Sequence, residues 1–340
     1  MKYKLLSVNT PGFTINIGDY IQALASSQFL PSNDGFISRE NLNSYNEEET
    51  KIILNGWFMH IPENWPPSNK IKPLFVAFHI NTYTKGKMLS PIGVDYFKRH
   101  EPIGCRDLHT VNQLLEHGIK AYFSGCMTLT LGYKYKSDVR EDKCYFVDPT
   151  MNIKWNKIKL LCNFIGYLKH KKDIDKLSPN FKIGIEGIRK KLRIVSFYHE
   201  YLKYFSHDTI MNAEYIFHED PNFRDKFKTD KELLAEAERL IIKYSKAKLI
   251  VTSRIHCALP CIGLETPVIY INSTNGNYQS SCRLGGLLEL FNVLEWKNNH
   301  LISNFKIEKK LSINYTIPNK KSWIPIKDKL IRTVEDFFQE

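Results

Sequence analysis

Short apolar runs alternate along this chain with segments of helical periodicity, and this alternation constrains the fold more than any other feature. The runs of strand type are residues 3–8, 51–55, 74–79, 248–252 and 267–271. Helix-like segments lie between them; residues 231–244, for example, place their apolar side chains on one helical face. Such alternation is typical of α/β proteins with parallel sheets. The sequence therefore predicts an α/β fold built from doubly wound, Rossmann-like units.

Two such units are separated by a stretch of different composition. Residues 1–153 are interpreted as an N-terminal Rossmann-like lobe, and residues 154–210 as a basic helical connector. Residues 211–300 are interpreted as a C-terminal Rossmann-like lobe, and residues 301–340 as a tail that ends in a helix. Because ligands of doubly wound units bind at the carboxyl ends of the strands, this organisation predicts a cleft between the two lobes.

Positive charge is concentrated in the connector. The formal net charge is +12, and residues 154–193 hold twelve lysines and arginines against three acidic residues. A basic strip of this kind favours an anionic surface, either phospholipid headgroups or a nucleic-acid backbone. A solvated face in a lysine-rich protein would have the same composition, so the charge alone leaves these interpretations open.

Cysteine usage and hydropathy predict a cytoplasmic protein. The seven cysteines are scattered, are odd in number and include no CxxC pair, so we expect reduced thiols and no zinc ribbon. No apolar run approaches the roughly 18–20 residues of a membrane span, and the apolar part of residues 1–8 is too short for a secretory signal. No cluster of histidines has the spacing of metal ligands, and no metal is expected.

Residues 252–260 (Thr-Ser-Arg-Ile-His-Cys-Ala-Leu-Pro) carry the strongest chemical signal. A buried strand ends there and a helix begins, which places Ser253, Arg254 and His256 at the carboxyl end of the strand. Helix N-termini attract anions, arginine binds carboxylates and phosphates, and histidine exchanges a proton near neutral pH. The pattern indicates an anion site with proton transfer, although a surface arginine beside a capping histidine would have the same spacing.

These residues, with residues 263–269 that follow them, resemble the signature of the polysaccharide pyruvyl transferase family. Residues 16–19 (Asn-Ile-Gly-Asp) resemble the GD motif near the N-terminus of that family. Residues 103–110 (Ile-Gly-Cys-Arg-Asp-Leu-His-Thr) resemble its Arg-Asp segment, and residues 124–131 resemble the segment that closes its first lobe. The longer glycine-rich loop common in the family is reduced here to one glycine.

The resemblance runs in order from residue 15 to residue 290, apart from residues 150–210, and it implies both a fold and a reaction. Members of the family look like GT-B-type folds. They transfer the three-carbon unit of phosphoenolpyruvate onto two hydroxyls of a sugar, so that a ketal forms and phosphate is released. We expect galactose as the acceptor, in a capsular or exopolysaccharide precursor or a lipid-linked oligosaccharide. No cofactor is implied, because phosphoenolpyruvate is itself the donor substrate.

The carboxylate and phosphate of such a donor require several cations in one cleft. Arg106, Arg254 and Arg283, with the hydroxyl of Ser253, are expected to bind these anionic groups. His256 is expected to be the main acid/base, with Arg254 beside it as a second catalytic residue.

Four further residues are candidates for binding or orienting the sugar: Asp19, Asp107, Trp57 and His218. Each has an ordinary structural alternative. Asp19 and Asp107 stand where helices begin and would serve as N-caps. Trp57 would fit the hydrophobic core, and His218 would belong to a turn before Pro221.

Two other functions compete with pyruvyl transfer. A GT-B glycosyltransferase that uses a nucleotide-sugar would also bind in an inter-lobe cleft, but no ribose-binding carboxylate is evident after residue 271. A non-enzymatic protein that binds nucleic acid or membrane rests on the charge excess alone, and no nucleic-acid partner is expected. Peripheral contact of residues 154–193 with an anionic membrane is expected, because capsule repeat units are commonly assembled on a lipid carrier at the inner face of the membrane.

Overall fold

The computed structural model describes residues 1–150, 155–181, 184–220, 222–273 and 281–339. Within these residues the strands are β1 (Lys2–Tyr3), β2 (Leu5–Ser7), β3 (Phe36–Ser38), β4 (Thr50–Phe58), β5 (Ile71–Ile80), β6 (Ile103–Cys105), β7 (Ala121–Phe123), β8 (Glu141–Val147), β9 (Glu214–Ile216), β10 (Ala247–Thr252), β11 (Val268–Asn272), β12 (Asn292–Lys297) and β13 (His300–Ser303). The α-helices there are α1 (Ile17–Ser27), α2 (Lys85–Met88), α3 (Pro91–Arg99), α4 (Leu108–Glu116), α5 (Gly132–Tyr135), α6 (Lys157–Lys169), α7 (Lys171–Leu177), α8 (Gly187–Tyr201), α9 (His207–Asn212), α10 (Phe223–Lys226), α11 (Asp230–Lys246), α12 (Ile255–Gly263) and α13 (Ile324–Gln339).

Strands β1, β4, β5, β6 and β7 form a sheet in which every neighbouring pair is parallel. The longest pairing joins β4 and β5, from Thr50 opposite Ile71 to Phe58 opposite Ile80. Strands β2 and β3 form a separate parallel pair. Parallel sheets are covered on both faces, which explains the nearly continuous apolar runs of these strands. The α/β class expected from the sequence is confirmed.

A second sheet has the order β13-β12-β11-β10-β8-β9 and is parallel except between β12 and β13. The sequence analysis placed strand β8 in the first lobe, because it follows the strands of that lobe along the chain. In the structure β8 pairs with β10 and β9 of the second sheet. Phe146 packs on one face of this sheet, and Tyr145 and Val147 pack on the other. The assignment of this strand to the first lobe was therefore wrong.

The two sheets share a central apolar core. Ile53 of the first sheet and Ile250 of the second both pack in this core, together with residues of helices α1, α11 and α12. The next residue of each strand points the other way: Leu54 packs in the outer core of the first sheet, and Val251 in that of the second. Because side chains alternate along a strand, each sheet is covered on both faces, and the shared helices hold the sheets together.

Helices α6 to α9, from the basic connector, lie outside the second sheet. Tyr198 and Tyr201 of α8 are buried in the outer core of that sheet. Helix α13 returns to the first sheet, where Lys51 donates a hydrogen bond from its ammonium to the carbonyl oxygen of Phe337 at 2.6 Å. Val334 of α13 packs in the central core. The connector thus belongs with the second sheet, and the C-terminal helix contacts the first.

Candidate active site

A cavity of about 800 Å³ lies at the carboxyl ends of strands from both sheets. Arg106 follows β6 of the first sheet, whereas Ser253 and Ser273 follow β10 and β11 of the second. The cavity is lined by Thr14, Asn16, Asp19, Arg39, Trp57, His60, Arg106, His218, Glu219, Ser253, Arg254, Ile255, His256, Tyr270, Ser273, Arg283 and Leu284. Four of these residues are arginines and two are carboxylates, so positive charge is in excess.

The junction of β10 and α12 brings three predicted residues to this cavity. The backbone N–H of Arg254 donates to the side-chain oxygen of Thr252 at 3.0 Å. Arg254 is extended (φ −96°, ψ 124°) and is the N-cap residue of α12, so His256 falls in the first helical turn. Ser253, Arg254 and His256 all line the cavity. The strand-to-helix junction predicted from the sequence is confirmed.

Two carboxylates hold Arg254 in place. Its Nε donates to Asp148 Oδ2 and its Nη1 donates to Glu219 Oε1, both at 2.9 Å. Although burial opposes it, the negative charges of Asp148 and Glu219 raise the pKa of Arg254. The hydroxyl of Ser253 donates to the carbonyl oxygen of Asp148 at 2.7 Å. Much of the charge of Arg254 is therefore balanced within the protein, and its guanidinium is fixed.

Arg106 and Arg283 supply positive charge that is less well balanced. Arg106 is buried, and its Nε lies 4.0 Å from the carboxylate of Asp107, too far for a hydrogen bond. Arg283, in the 3₁₀ turn Cys282–Leu284, forms no ion pair with any residue in the described ranges. Enclosure by the cavity walls and then the charge of Arg106 lower the pKa of Arg283. Two nearby guanidinium groups that no carboxylate within hydrogen-bond distance neutralises favour the binding of an anion.

The surroundings of His256 favour the neutral form of its imidazole. Burial, followed by the charges of Arg106 and Arg283, holds the pKa of His256 well below its ordinary value. Nη1 of Arg106 lies 3.4 Å from Nε2 of His256. Because arginine can only donate, Nε2 is the acceptor and the ring proton is assigned to Nδ1. The protein's own charges thus disfavour the imidazolium form.

The N-terminus of α1 approaches His256 closely. The side-chain oxygen of Asn16 accepts from the backbone N–H of Gly18 at 2.9 Å, and its Nδ2 donates to Glu219 at 3.0 Å. A Cβ placed on Gly18 would lie 2.9 Å from Asn16 Oδ1 and 3.1 Å from Cβ of His256. Glycine therefore allows α1 and α12 to begin side by side. This contact gives the Asn-Ile-Gly-Asp turn a structural role.

Asp19 lies on the cavity wall one residue beyond Gly18. Asn16, and not Asp19, caps helix α1. The carboxylate of Asp19 accepts a hydrogen bond from Gln22 Nε2 at 3.0 Å. Burial raises the pKa of Asp19, while the charges of Arg39 and Arg106 act in the opposite direction. Such a carboxyl group binds a proton more readily than an exposed aspartate, which suits general acid/base chemistry.

Aromatic rings form another part of the wall. Trp57 is half-buried and lines the cavity, so it is not the core residue that the alternative interpretation required. Its ring centroid lies 4.5 Å from that of His60, which in turn stacks on Phe13 at 4.0 Å. The guanidinium of Arg39 lies 5.1 Å from the Trp57 ring centroid. This wall offers flat apolar surface beside hydrogen-bonding groups.

Two predicted sugar-binding residues are fully buried, and one of them, Asp107, does not line the cavity. Asp107 is fully buried, caps α4 by accepting from the Thr110 N–H at 2.9 Å, and lies 2.6 Å from Nδ1 of His79. His218 forms part of the cavity wall but is fully buried, with Nε2 2.9 Å from the hydroxyl of Tyr244. Burial lowers the pKa of His218 to about 3. Asp107 therefore serves as the N-cap of α4, as its structural alternative predicted, and burial leaves His218 with almost no surface to offer a sugar.

Sequence reasoning did not single out Asp148, Arg39 and His60. Asp148 directly follows β8, and its role would have been evident had β8 been assigned to the second sheet, beside β10. Arg39 and His60 lie in connections of the first sheet, and no motif marks them. The described ranges contain no group of three or more His, Cys, Asp or Glu side chains arranged to hold a metal ion. In the same ranges no helix is both long and apolar enough to cross a bilayer.

Comparison with known families identifies the chain. The profile of the family described as polysaccharide pyruvyl transferase matches residues 16–275, which is more than half of the chain. The chain belongs to this family. This polysaccharide pyruvyl transferase is accordingly a transferase that acts in pyruvyl transfer onto polysaccharide. Asp19, Arg106, Arg254 and His256 lie within the matched residues, whereas Arg283 lies beyond them.

Other comparisons add little to the identification. No curated protein matches this pyruvyl transferase. It is similar to a solved structure described as a functionally uncharacterized protein from Klebsiella pneumoniae, with 14% sequence identity and a TM-score of 0.44. The similarity covers 84% of this chain and 88% of the other, and it supports no conclusion about the function of this chain.

Proposed function

We propose that this transferase moves the pyruvyl unit of phosphoenolpyruvate onto two hydroxyls of galactose in a capsular or exopolysaccharide precursor. The observation that carries the proposal is the convergence of Arg106, Arg254, Arg283 and His256 on one cavity in a member of this family. The products are a cyclic ketal of the sugar and inorganic phosphate.

The donor brings a carboxylate and a phosphate into a cavity with excess positive charge. Arg106 and Arg283 have no carboxylate within hydrogen-bond distance, and they are proposed to contribute most to the binding of these anions. Arg254 is held by Asp148 and Glu219 and is proposed to contribute one guanidinium edge in a fixed orientation. Ser253 donates its hydroxyl proton to the carbonyl oxygen of Asp148, and it would bind the donor by turning that proton toward an anionic oxygen.

Donor binding would also prepare His256 as an acid. Burial and then the nearby arginines lower the pKa of His256, and the negative charges of a bound donor would offset the arginines and raise that pKa. His256 would then protonate the methylene carbon of the enol ester, which makes the neighbouring carbon electrophilic. The first sugar hydroxyl would attack that carbon while Asp19 accepts its proton.

Closure of the ketal ring would return Asp19 and His256 to the protonation states that they have in the donor complex. The carbon–phosphate oxygen bond breaks, and Asp19 would give its proton to the departing phosphate. The second sugar hydroxyl then forms the second carbon–oxygen bond, and His256 would take its proton. One proton is added to the methylene carbon, two leave the hydroxyls and one leaves with phosphate, so protons and charges balance.

The acceptor is proposed to lie against Trp57 and His60. One face of galactose presents C–H groups, which pack well on an aromatic ring. Asp19, on the same cavity, would bind a hydroxyl of that sugar. The sugar-binding role expected of Trp57 and Asp19 thus remains part of the proposal, while Asp107 and His218 are left out.

The arrangement of the chain fits a two-lobed, GT-B-like transferase of the cytoplasm. Support comes from the two parallel sheets, from the cavity that both of them line, and from the return of α13 to the first sheet. All seven cysteines are free thiols, in line with a reducing compartment. We propose a lipid-linked oligosaccharide acceptor, reached by peripheral contact with the inner face of the cytoplasmic membrane.

Release of phosphate from phosphoenolpyruvate tests this function. We expect the purified protein to release phosphate only when a galactoside is present. Trials with a panel of different galactosides identify the acceptor. A control reaction replaces phosphoenolpyruvate with 2-phosphoglycerate, which carries the same anionic groups without the enol double bond and should release nothing. Phosphate release that is independent of every sugar, or transfer from a nucleotide-sugar instead, would contradict the proposal.

Gly18→Ala is expected to lower turnover without unfolding the protein. The new methyl group would meet the side chain of His256, which must shift by a few tenths of an ångström. Misplacement of a reacting group by 1 Å can cost about 100-fold in rate, so a shift of a few tenths of an ångström should lower kcat by roughly 3- to 10-fold. Gly86→Ala, at a helical position with no atom within 4 Å of the added Cβ, is the matched control. Wild-type kcat in Gly18→Ala would show that the close approach is unimportant.

A further inference from the structure

Helix α6 packs on the protein through a polar side. Asn163 is buried, and its Nδ2 donates to the carbonyl oxygen of Leu192 at 3.0 Å and to Ser196 Oγ at 2.7 Å. Gly166 is buried as well, and a Cβ there would lie 2.8 Å from Cγ1 of Val195. Hydrogen bonds and close backbone contact therefore hold α6 against α8.

The opposite side of α6 exposes large apolar side chains. Ile158, Leu161, Ile165 and Leu168 recur at intervals of three or four residues and share one helical face. Their exposed fractions are 74%, 61%, 58% and 61%. Leu160 and Phe164, also exposed, extend this surface. An ordinary surface helix turns such a face toward the core. A contiguous exposed apolar surface marks an interaction site.

Lysines surround this apolar face. Those at the two ends of α6 and just beyond it are Lys157, Lys159, Lys169, Lys171 and Lys172, and none forms an ion pair within the described ranges. Asp175, in the next helix, is already paired with Lys191 at 2.8 Å. Lys154 and Lys182 of the basic strip lie outside the described residues. Apolar side chains bordered by unpaired lysines are complementary to an anionic bilayer, because lysine stems lie along apolar surface and keep their charge among headgroups.

We propose that α6 docks the protein on an anionic phospholipid bilayer, with its exposed leucines, isoleucines and phenylalanine among the acyl chains and its lysines at the headgroups. A second copy of this chain fits less well, since a symmetric contact would bring the same lysines of both copies together. A nucleic acid would leave the apolar face uncovered. The docking surface deepens the proposed peripheral membrane contact, but it does not depend on pyruvyl transfer.

Co-sedimentation with vesicles in the absence of substrates tests the docking surface separately from catalysis. We expect binding to vesicles of phosphatidylcholine with phosphatidylglycerol, and weaker binding to phosphatidylcholine alone. The triple variant Leu161→Ser, Ile165→Ser, Leu168→Ser should bind anionic vesicles more than about tenfold less tightly. The triple variant Lys169→Gln, Lys171→Gln, Lys172→Gln should also lose about tenfold or more, together with much of the salt dependence.

Two control variants change the same residue types elsewhere. Exposed isoleucines of other elements are replaced in Ile92→Ser, Ile242→Ser, Ile302→Ser, and exposed lysines of the C-terminal region in Lys309→Gln, Lys310→Gln, Lys321→Gln. Both should bind like wild type. Thermal denaturation should be nearly unchanged in all four variants, because the replaced side chains are exposed.

Three results would overturn the proposal. The first is no binding of the wild-type protein to anionic vesicles, and the second is a loss of binding in the control variants as large as in the α6 variants. The third is a concentration-dependent dimer, seen by light scattering without lipid, that the serine variant dissociates while vesicle binding is absent. In that case another copy of the chain covers the face.

Discussion

His256→Gln is expected to lower kcat by roughly 10²–10⁴, the range typical of a lost acid/base group. Glutamine can still accept a hydrogen bond from Arg106, but it cannot carry a proton to carbon. At a pH where His256 is neutral both in the free protein and in the donor complex, the substitution should change donor affinity much less than kcat. Single-turnover rates and equilibrium binding of phosphoenolpyruvate separate the two effects.

The pH dependence of donor binding supplies the control for this variant. His256 is neutral in the free protein because its pKa is well below the ordinary value, and the account has it protonated in the donor complex. Binding then takes up a proton. Affinity should therefore fall as pH rises through the window between the lowered pKa of the free protein and the raised pKa of the complex. His256→Gln should lose this protein-linked proton uptake. An unchanged pH profile, or a kcat within a few-fold of wild type, would remove His256 from the chemistry.

Arg106→Gln is expected to weaken phosphoenolpyruvate binding more than any other single change. Arg106 is buried, and no carboxylate lies within hydrogen-bond distance of it. Removing one partner of a buried charge pair costs about 2–5 kcal/mol, which is a rise in Kd of roughly 30-fold or more. Isothermal titration calorimetry with phosphoenolpyruvate measures it.

Two further measurements, of Tm and of proton uptake, distinguish weaker donor binding by Arg106→Gln from damage to the fold. The variant removes a buried like charge beside Arg283, so Tm should not fall greatly. It also removes a charge that lowers the pKa of His256, so proton uptake on donor binding should decrease. Arg99→Gln, an exposed arginine paired with Asp95, is the matched control and should bind the donor normally. An unchanged Kd in Arg106→Gln would contradict the assignment of the anion site.

The sequence predicted those parts of the fold that depend on local pattern. Buried strands appear as apolar runs, and the turn that follows β10 places polar residues at a helix start, so the α/β class and the β10–α12 junction were predictable. The sheet to which β8 belongs was not predictable, because its hydrogen-bonding partners β9 and β10 lie far along the chain. Strand pairing between distant segments is set by tertiary packing, which a local pattern does not contain.

Within the site, too, the features that follow from local pattern were predictable and those that depend on tertiary contacts were not. Arg106, Arg254 and His256 were identifiable because each stands where a strand gives way to a helix. The charge balance of Arg254 was not, since Asp148 and Glu219 reach it from other strands. The exposed apolar face of α6 could not be predicted either. Its spacing is that of an ordinary amphipathic helix, and only packing determines which side faces the protein.

Carbon NMR of the product tests directly whether the pyruvyl carbon becomes bonded to two oxygens of the sugar. Phosphoenolpyruvate labelled with ¹³C at the carbon that bears the phosphate is incubated with the protein and the active galactoside in D₂O. The proposed mechanism predicts that the label becomes a ketal carbon bonded to two sugar oxygens, next to a methyl group that carries one deuterium. Label that stays in phosphoenolpyruvate or appears only as free pyruvate, with no bond to sugar, would contradict it.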